Sequence, residues 1–296
     1  MSGVGRGELA TSAGDTPPQP SRARKILIRT ATGTAIGLSV ALLLWVSDRI
    51  GSPLPVLLVG ALLAAANAIE LGLMPVVGAA IGAPAMGGAW LASAGAACAG
   101  LAFAGGRGDT ALVAAVFGVT VVALVLRPIG ASAPRHPSTR WAPVWATLPL
   151  PLLAWIHLEH GTRGLVALIV LSKVGDIAGY FVGSACGKTH PFPRLSPGKT
   201  TEGCLGSLVA GGAAGALLES LDALPGPDGI KWGITIGLLI NLAAQAGDLL
   251  ESYIKRSAGV KDSSGWMGAS GGVLDVTDSL LLTVPVALWI WGLPLG

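Results

Sequence analysis

Charged residues are scarce in this chain of 296 residues. Asp, Glu, Lys and Arg make up 12% of the sequence, whereas a soluble globular domain carries about 25%. Cysteine is also rare, and the three cysteines show no spacing typical of a metal site. The four histidines form no His-x-x-x-His pair, which argues against a zinc enzyme. The shortage of charge excludes the soluble globular class of proteins.

Hydrophobic residues, by contrast, make up 52% of the chain. The charges are clustered, which leaves apolar runs of roughly 20 residues, the length at which a helix spans a bilayer. These runs do not alternate between apolar and polar residues, as the strands of a transmembrane β-barrel do. We therefore predict an all-α integral membrane protein with about nine transmembrane helices. The predicted spans are residues 26–47, 54–74, 77–104, 109–126, 142–157, 164–184, 203–221, 231–252 and 273–293.

The basic residues predict how these spans are oriented. With the amino terminus in the cytoplasm, 13 Lys and Arg fall in cytoplasmic segments and 4 in outer segments. Such an asymmetry follows the positive-inside rule, so we predict a multi-pass protein of the cytoplasmic membrane with its amino terminus inside. Residues 1–21 are rich in Gly, Ser and Pro and predict a disordered cytoplasmic tail. We assign residues 22–160 to about five amino-terminal helices and residues 161–296 to a region with cytoplasmic loops that carries the polar motifs.

Polar side chains share one face of the eighth predicted helix and continue into the ninth. Carboxylates that converge at the edge of an apolar phase are costly unless they are paired or bind a metal. Hard oxygen ligands suit Mg²⁺, and neighbouring cations can hold phosphate oxygens. The pattern predicts a site for Mg²⁺ and a polyphosphate, although an ion-paired helix end at the membrane surface is the alternative. The residues at helical spacing are Asp248, Glu251, Ser252, Lys255 and Arg256, then Asp275 and Asp278.

A second polar cluster begins in the sixth predicted span. Lys173, Asp176 and Tyr180 share a helical face. Lys173 and Asp176 could neutralise each other, or Asp176 could face the same polar cavity as Asp248. The following loop ends where Thr200 or Thr201 can cap the next helix, and a helix start of this kind attracts anions. Polar residues in and just after this loop are Ser196, Lys199, Thr200, Thr201 and Glu202.

Glu70 stands alone as an acid inside the second predicted span. A carboxylate at that depth needs a partner or a wet cavity. The sequence leaves open whether Glu70 makes a structural hydrogen bond or belongs to a site.

The two polar clusters resemble the signatures of the phosphatidate cytidylyltransferases (CDP-diacylglycerol synthases). The carboxyl-terminal signature is kept at every spacing by Ser252, Lys255, Arg256, Lys261, Asp262, Gly271, Gly272, Val273, Asp275 and Asp278. The upstream motif is kept by Asp176, Tyr180, Phe181, Ser196, Pro197, Lys199, Thr200, Glu202 and Gly203. Ser270 stands where the family usually has His, and Val276 where it usually has Arg. Before residue 160 only the hydropathy fits the family.

The resemblance implies that CTP and phosphatidate are converted to CDP-diacylglycerol and pyrophosphate. The distribution of basic residues predicts that this site faces the cytoplasm. The resemblance also implies Mg²⁺ as the metal, with room for a monovalent cation such as K⁺, and a homodimer; we expect no nucleic-acid partner. The expected metal ligands are Asp248 and Asp275, followed by Asp278 and Asp176. The expected phosphate-holding residues are Lys255, Arg256 and Lys261. The expected substrate-binding residues are Ser196, Lys199, Thr200, Glu202, Ser252, Asp262, Gly271 and Gly272.

Three alternatives stay open on the sequence. A CTP-dependent kinase of polyprenol or dolichol would use similar groups on an alcohol acceptor. An ion-coupled transporter would use its intramembrane acids to bind ions, although here the polar motifs crowd into the carboxyl-terminal half. The changes at Ser270 and Val276 also allow a relative that has lost activity.

Overall fold

The computed structural model describes residues 22–74, 138–267 and 271–291. All regular secondary structure in these ranges is helical, which confirms the all-α prediction for the described part of the chain. The predicted tail at 1–21 and the predicted spans at 77–104 and 109–126 lie outside the described residues. The helices are α1 (Arg22–Ile50), α2 (Leu54–Leu73), α3 (Ser138–Thr147), α4 (Leu153–Cys186), α5 (Thr201–Ser220), α6 (Ile230–Ser257), α7 (Val273–Thr277) and α8 (Leu280–Trp291).

Six helical stretches in the described ranges are long and apolar enough to cross a membrane. Large apolar side chains on them point outward; Leu62, for example, is 69% exposed and Val209 72% exposed. Such outward apolar surface suits contact with lipid. The protein is therefore a multi-pass membrane protein. The stretches are Ala31–Ile50, Leu54–Leu73, Leu153–Cys186, Thr201–Ser220, Ile230–Ser257 and Val273–Trp291.

The predicted fifth span, residues 142–157, is wrong as a single helix. Helix α3 ends at Thr147, and the chain turns through Pro149 and Pro151 before α4 begins. Proline lacks the backbone N–H that would continue a helix, which explains the break. Helix α4 then covers the end of the predicted fifth span and all of the sixth, with a bend at Gly161, whose φ is +64°.

Glycines let α5 and α6 pack closely. A Cβ atom at Gly215 would overlap the backbone of Gly233, and one at Gly237 would overlap the backbone of Gly211. Hydrophobicity cannot drive helices together within lipid, so close backbone approach of this kind stabilises the pair. The antiparallel α5–α6 pair is the scaffold against which α4 packs.

One end of the helix bundle gathers both polar clusters. Helices α2, α4 and α6 end there, and α5 and α7 begin there. Gly247 lets α6 approach the turn after α7, because a Cβ at this position would lie 2.5 Å from the carbonyl oxygen of Asp278. The fold thus brings two segments that are far apart in sequence to one polar end.

Candidate active site

Three carboxylates from two chain segments form the centre of the site. Asp248 and Glu251 lie one turn apart on α6, and Asp278 lies in the turn between α7 and α8. One oxygen atom from each lies within 4.8 Å of the others. We call Asp248, Glu251 and Asp278 the acidic triad. Glu251 and Asp278 are buried, and Asp248 is half-buried and lines a cavity.

Three lysines pair with the triad and with two neighbouring acids. Lys199 Nζ lies 2.6 Å from Asp248 Oδ2. Lys255 Nζ lies 2.7 Å from Glu251 Oε2, and Lys173 Nζ lies 4.0 Å from Asp278 Oδ1. Two further ion pairs join Lys255 to Asp275, and Lys173 to Asp176 at 3.6 Å.

This donor set fits a divalent cation. Five carboxylates and three ammonium groups leave the site with a formal charge of −2 when all are ionised. Within the described part of the chain, Glu251 Oε1 is buried and has no hydrogen-bond partner. An unpaired carboxylate oxygen in a largely buried acidic cluster is costly unless the group takes up a proton or binds a cation. Hard oxygen ligands of this kind suit Mg²⁺.

Asp275 lies beside the triad and not within it. Its carboxylate contacts Lys255 and accepts hydrogen bonds from the backbone N–H groups of Ser263 at 2.9 Å and Gly272 at 2.6 Å. These contacts close the loop before α7 onto the first turn of that helix. The assignment of Asp275 as a metal ligand stays a prediction. Glu251 was predicted to lie on the polar face of α6 but was not among the expected ligands, although its spacing of three residues from Asp248 was a usable signal for the acidic triad.

A polar cavity of about 300 Å³ lies between α4, α5 and α6 and the loop before α5. Its walls include Asp176, Ser196, Lys199, Thr200 and Asp248. Both interpretations of Asp176 therefore hold, since this carboxylate pairs with a lysine and also faces the cavity of Asp248. The upstream motif and α6 meet at one concave surface.

The loop before α5 is held by its own residues. Thr200 caps α5, as predicted, and its hydroxyl oxygen accepts a hydrogen bond from Gly203 N at 3.1 Å. Glu202 accepts hydrogen bonds from the backbone N–H groups of Lys188 at 3.0 Å and Thr189 at 3.3 Å. These contacts stabilise the loop that carries Lys199, and a substrate role for Glu202 stays a prediction.

Other predicted site residues lie around the loop that follows α6. Arg256 links the loop before α5 to the loop after α6. Its guanidinium donates hydrogen bonds to Leu195 O at 3.3 Å and to Val260 O at 3.1 Å. Ser252 is buried, whereas Lys261 and Asp262 are exposed. At the far end of this loop, Gly271 has a φ of +85° and Gly272 is the residue just before α7, while Ser270 lies outside the described residues. Val276 contributes its carbonyl oxygen, which accepts a hydrogen bond from Lys173 Nζ at 3.2 Å.

The sequence of the chain matches a known protein family and several known proteins. The family model described as "Cytidylyltransferase family" matches residues 27–293. The chain is 35% identical over 156 residues to the uncharacterized protein YnbB of Escherichia coli strain K12, which covers 49% of this chain and 50% of that protein. It is 40% identical over 133 residues to the phosphatidate cytidylyltransferase of Brucella suis, covering 45% of this chain and 47% of the relative.

A third relative is the phosphatidate cytidylyltransferase of Aquifex aeolicus, 37% identical over 140 residues that cover 46% of this chain and 51% of that protein. The chain thus spans about half the length of the curated relatives it matches. The family match itself extends through nearly all of the described residues. The chain belongs to the cytidylyltransferase family.

Proposed function

We propose that this protein is a phosphatidate cytidylyltransferase, which converts CTP and phosphatidate to CDP-diacylglycerol and pyrophosphate. The observation that carries the proposal is the acidic triad beside a polar cavity at one end of a membrane-spanning bundle. Membership of the cytidylyltransferase family and relatives named phosphatidate cytidylyltransferase support the same reaction.

The reaction requires the protein to align its substrates and to offset their negative charge, and it requires no covalent intermediate with the protein. An oxygen of the phosphatidate phosphate attacks the α-phosphorus of CTP, and the bond from that phosphorus to the β-phosphate oxygen breaks. Pyrophosphate leaves with the electron pair, and no protein nucleophile is required. The protein must therefore hold two anionic substrates in line and offset their repulsion.

We propose that the acidic triad holds Mg²⁺. The support is the formal charge of −2, the unpaired Glu251 Oε1 and the hard oxygen chemistry of the donors. When bound, the ion would neutralise and orient phosphate oxygens. Asp176 and Asp275 remain the further candidate ligands, and a monovalent cation such as K⁺ beside Mg²⁺ belongs to the same proposal.

Lys199 is our candidate for holding phosphate in the cavity. Its ammonium reaches Asp248 from the loop before α5, and both residues line the cavity. When a divalent cation occupies Asp248, the ammonium would be released to hold triphosphate or headgroup oxygens. Lys255 and Arg256 already contact protein groups, so we propose that they order the site around the substrates.

The lipid would enter from the side of the bundle. Tyr180 lines the cavity and is 67% exposed, and it packs edge to face against Phe181, which is 64% exposed. Aromatic residues at the rim of a membrane protein suit the level of the lipid headgroups. This entry would bring the phosphate of phosphatidate to the cavity while its acyl chains stay in the bilayer.

We further propose nine spans, a cytoplasmic amino terminus, a homodimer and residence in the cytoplasmic membrane, with the site facing the cytoplasm. Cys186 offers a test, because it is exposed at the same end of the bundle as the site. A protein that keeps Cys186 and carries serine at Cys98 and Cys204 should react with an impermeant maleimide in inverted vesicles. Labelling in right-side-out vesicles instead would reverse the proposed orientation.

Radiolabelled CTP tests the reaction itself. Purified protein in detergent would receive phosphatidate, Mg²⁺ and CTP labelled at the α-phosphate. We expect label in the lipid product, release of pyrophosphate, and a loss of about 100-fold in Asp248→Asn. Asp228→Asn is the matched control, because Asp228 is exposed in the turn between α5 and α6. Transfer of a γ-label to a polyprenol, without transfer of an α-label, would instead identify a lipid kinase.

A further inference from the structure

Glu70 on α2 makes a set of contacts that joins the amino-terminal helices to the catalytic end. Its side chain is fully buried, with 0% exposure. Oε1 accepts hydrogen bonds from Ser264 Oγ and Val273 N, both at 2.7 Å. Oε2 accepts from Ser263 Oγ at 2.7 Å and Leu274 N at 2.9 Å. The carboxylate therefore holds the loop after α6 and the first turn of α7 at once.

The chemistry of these four contacts requires a carboxylate. All of the partners can donate a hydrogen bond, and two are backbone N–H groups that cannot accept one. A glutamine at position 70 would turn its NH₂ group toward either Val273 N or Leu274 N, whichever way the amide is oriented. Among the described residues, no lysine or arginine forms an ion pair with Glu70, so these donors supply its stabilisation.

The first turn of α7 leads directly to the acidic triad. Leu274 donates its N–H to Glu70, and its carbonyl oxygen accepts a hydrogen bond from Asp278 N at 3.0 Å. One turn earlier on α2, Asn67 Nδ2 donates to Thr277 Oγ1 at 3.0 Å, next to Asp278. Helix α2 thus contacts α7 at both of its ends. A helix of five residues has little stability of its own, so such outside contacts determine where it lies.

The approach of Glu70 also depends on Gly272. A Cβ atom at Gly272 would overlap both carboxylate oxygens of Glu70 and the hydroxyl of Ser263. Ser263 Oγ lies 2.8 Å from Asp275 Oδ2 as well, and its one proton can be donated to only one carboxylate at a time. The loop is therefore held between an acid of α2 and an acid of α7.

We infer that Glu70 is a positioning residue, which fixes α7 so that Asp278 lies beside Asp248 and Glu251 in a geometry that can bind a divalent cation. The inference rests on the metal site of the proposed function. Its four hydrogen bonds reach the loop after α6 and the first turn of α7, so it would act on the metal site through the backbone of Val273 and Leu274.

Hydrogen exchange tests the contact without any substrate. In Glu70→Gln protein in detergent, peptides that cover residues 271–278 should exchange about 10-fold faster or more, because a hydrogen bond from their backbone to a charged acceptor is lost. Glu219→Gln is the matched control. Glu219 Oε1 accepts a hydrogen bond from Gly229 N at 2.5 Å in the turn between α5 and α6, so the same chemical change there should affect only that turn.

Metal binding tests the positioning. Binding of Mn²⁺ to the purified protein, followed by electron paramagnetic resonance, should weaken by roughly 10- to 100-fold in Glu70→Gln and stay unchanged in Glu219→Gln. Ser264→Ala removes one donor and keeps the carboxylate, so it should shift both readouts in the same direction by less. If Glu70→Gln does not fold, Ser264→Ala tests whether the contacts of Glu70 position the metal site.

Unchanged exchange at 271–278, or unchanged Mn²⁺ affinity in a variant with faster exchange, would overturn the inference. Faster exchange throughout α5 and α6 would also overturn it, because Glu70 would then support the whole fold. If the unaltered protein bound no Mn²⁺, the proposed metal site would fail. The exchange of residues 271–278 alone would then show whether Glu70 holds α7.

Discussion

Lys199 Nζ lies 2.6 Å from Asp248 Oδ2, so a lysine of the loop before α5 pairs with a carboxylate of the acidic triad. The two residues come from the two separate polar clusters of the sequence, and both line the cavity between α4, α5 and α6. An ammonium group at this position compensates part of the negative charge that a divalent cation would otherwise neutralise. A cation bound at the proposed site would therefore compete with Lys199 for Asp248, and this competition can be tested.

Lys199→Ala should separate metal binding from nucleotide binding. Without the competing ammonium, Mn²⁺ should bind the protein more tightly in the absence of nucleotide, by about tenfold if roughly 1.4 kcal/mol of pairing is removed. The KM for CTP should rise, because a phosphate-holding cation is lost. Lys188→Ala is the control, since its side chain is exposed in the same loop. Weaker Mn²⁺ binding in Lys199→Ala would contradict the competition.

Glu251→Gln should weaken binding of divalent cations by about tenfold or more, because it removes one charged ligand of the triad. Lys255 keeps its contact with Asp275 in this variant, so the fold should persist. Titration with Mn²⁺ measures the affinity, and thermal unfolding without metal measures stability. A loss of stability with unchanged affinity would make Glu251 only a partner of Lys255.

Lys255→Met should destabilise the protein by about 3–5 kcal/mol. Lys255 is 8% exposed and pairs with both Glu251 and Asp275, so its removal leaves the buried acid Glu251 and the partly buried Asp275 without their cation. Thermal unfolding in detergent measures the effect. Lys231→Met is the control, because Lys231 is exposed at the start of α6. Equal stability in the two variants would indicate that Lys255 is free to serve substrate, as the sequence predicts.

Gly272→Ala should mimic the loss of Glu70, because the new methyl group would occupy the position of the Glu70 carboxylate. We expect faster exchange at the start of α7 and Mn²⁺ binding weakened by roughly 10-fold or more. Gly265→Ala in the same loop is the matched control, since a Cβ there meets nothing within 4 Å. Similar behaviour of the two alanine variants would show that the close approach at Gly272 has no role in the site.

Much of the fold could be predicted from local pattern. Apolar runs of membrane length predicted helices, and helical spacing placed Asp248 and Glu251 on one face of α6. Local chemistry also limited the helix cap to Thr200 or Thr201, and the structure has Thr200 as the cap. The helix boundary at Thr147 could not be predicted from hydropathy, because one apolar run includes Pro149 and Pro151, where the helix is broken.

The sequence by itself determined that the protein is a helical membrane protein of the cytidylyltransferase family with two clusters of polar residues, because composition, periodicity and motif spacing are local properties. Only the tertiary structure decided which acids meet. It brought Asp278 beside Asp248 and Glu251, turned the carboxylate of Asp275 toward the loop after α6, and brought Glu70 to residues more than 190 positions away. Such partners depend on how α2, α6 and α7 pack, and helix packing is a long-range property that no local spacing encodes.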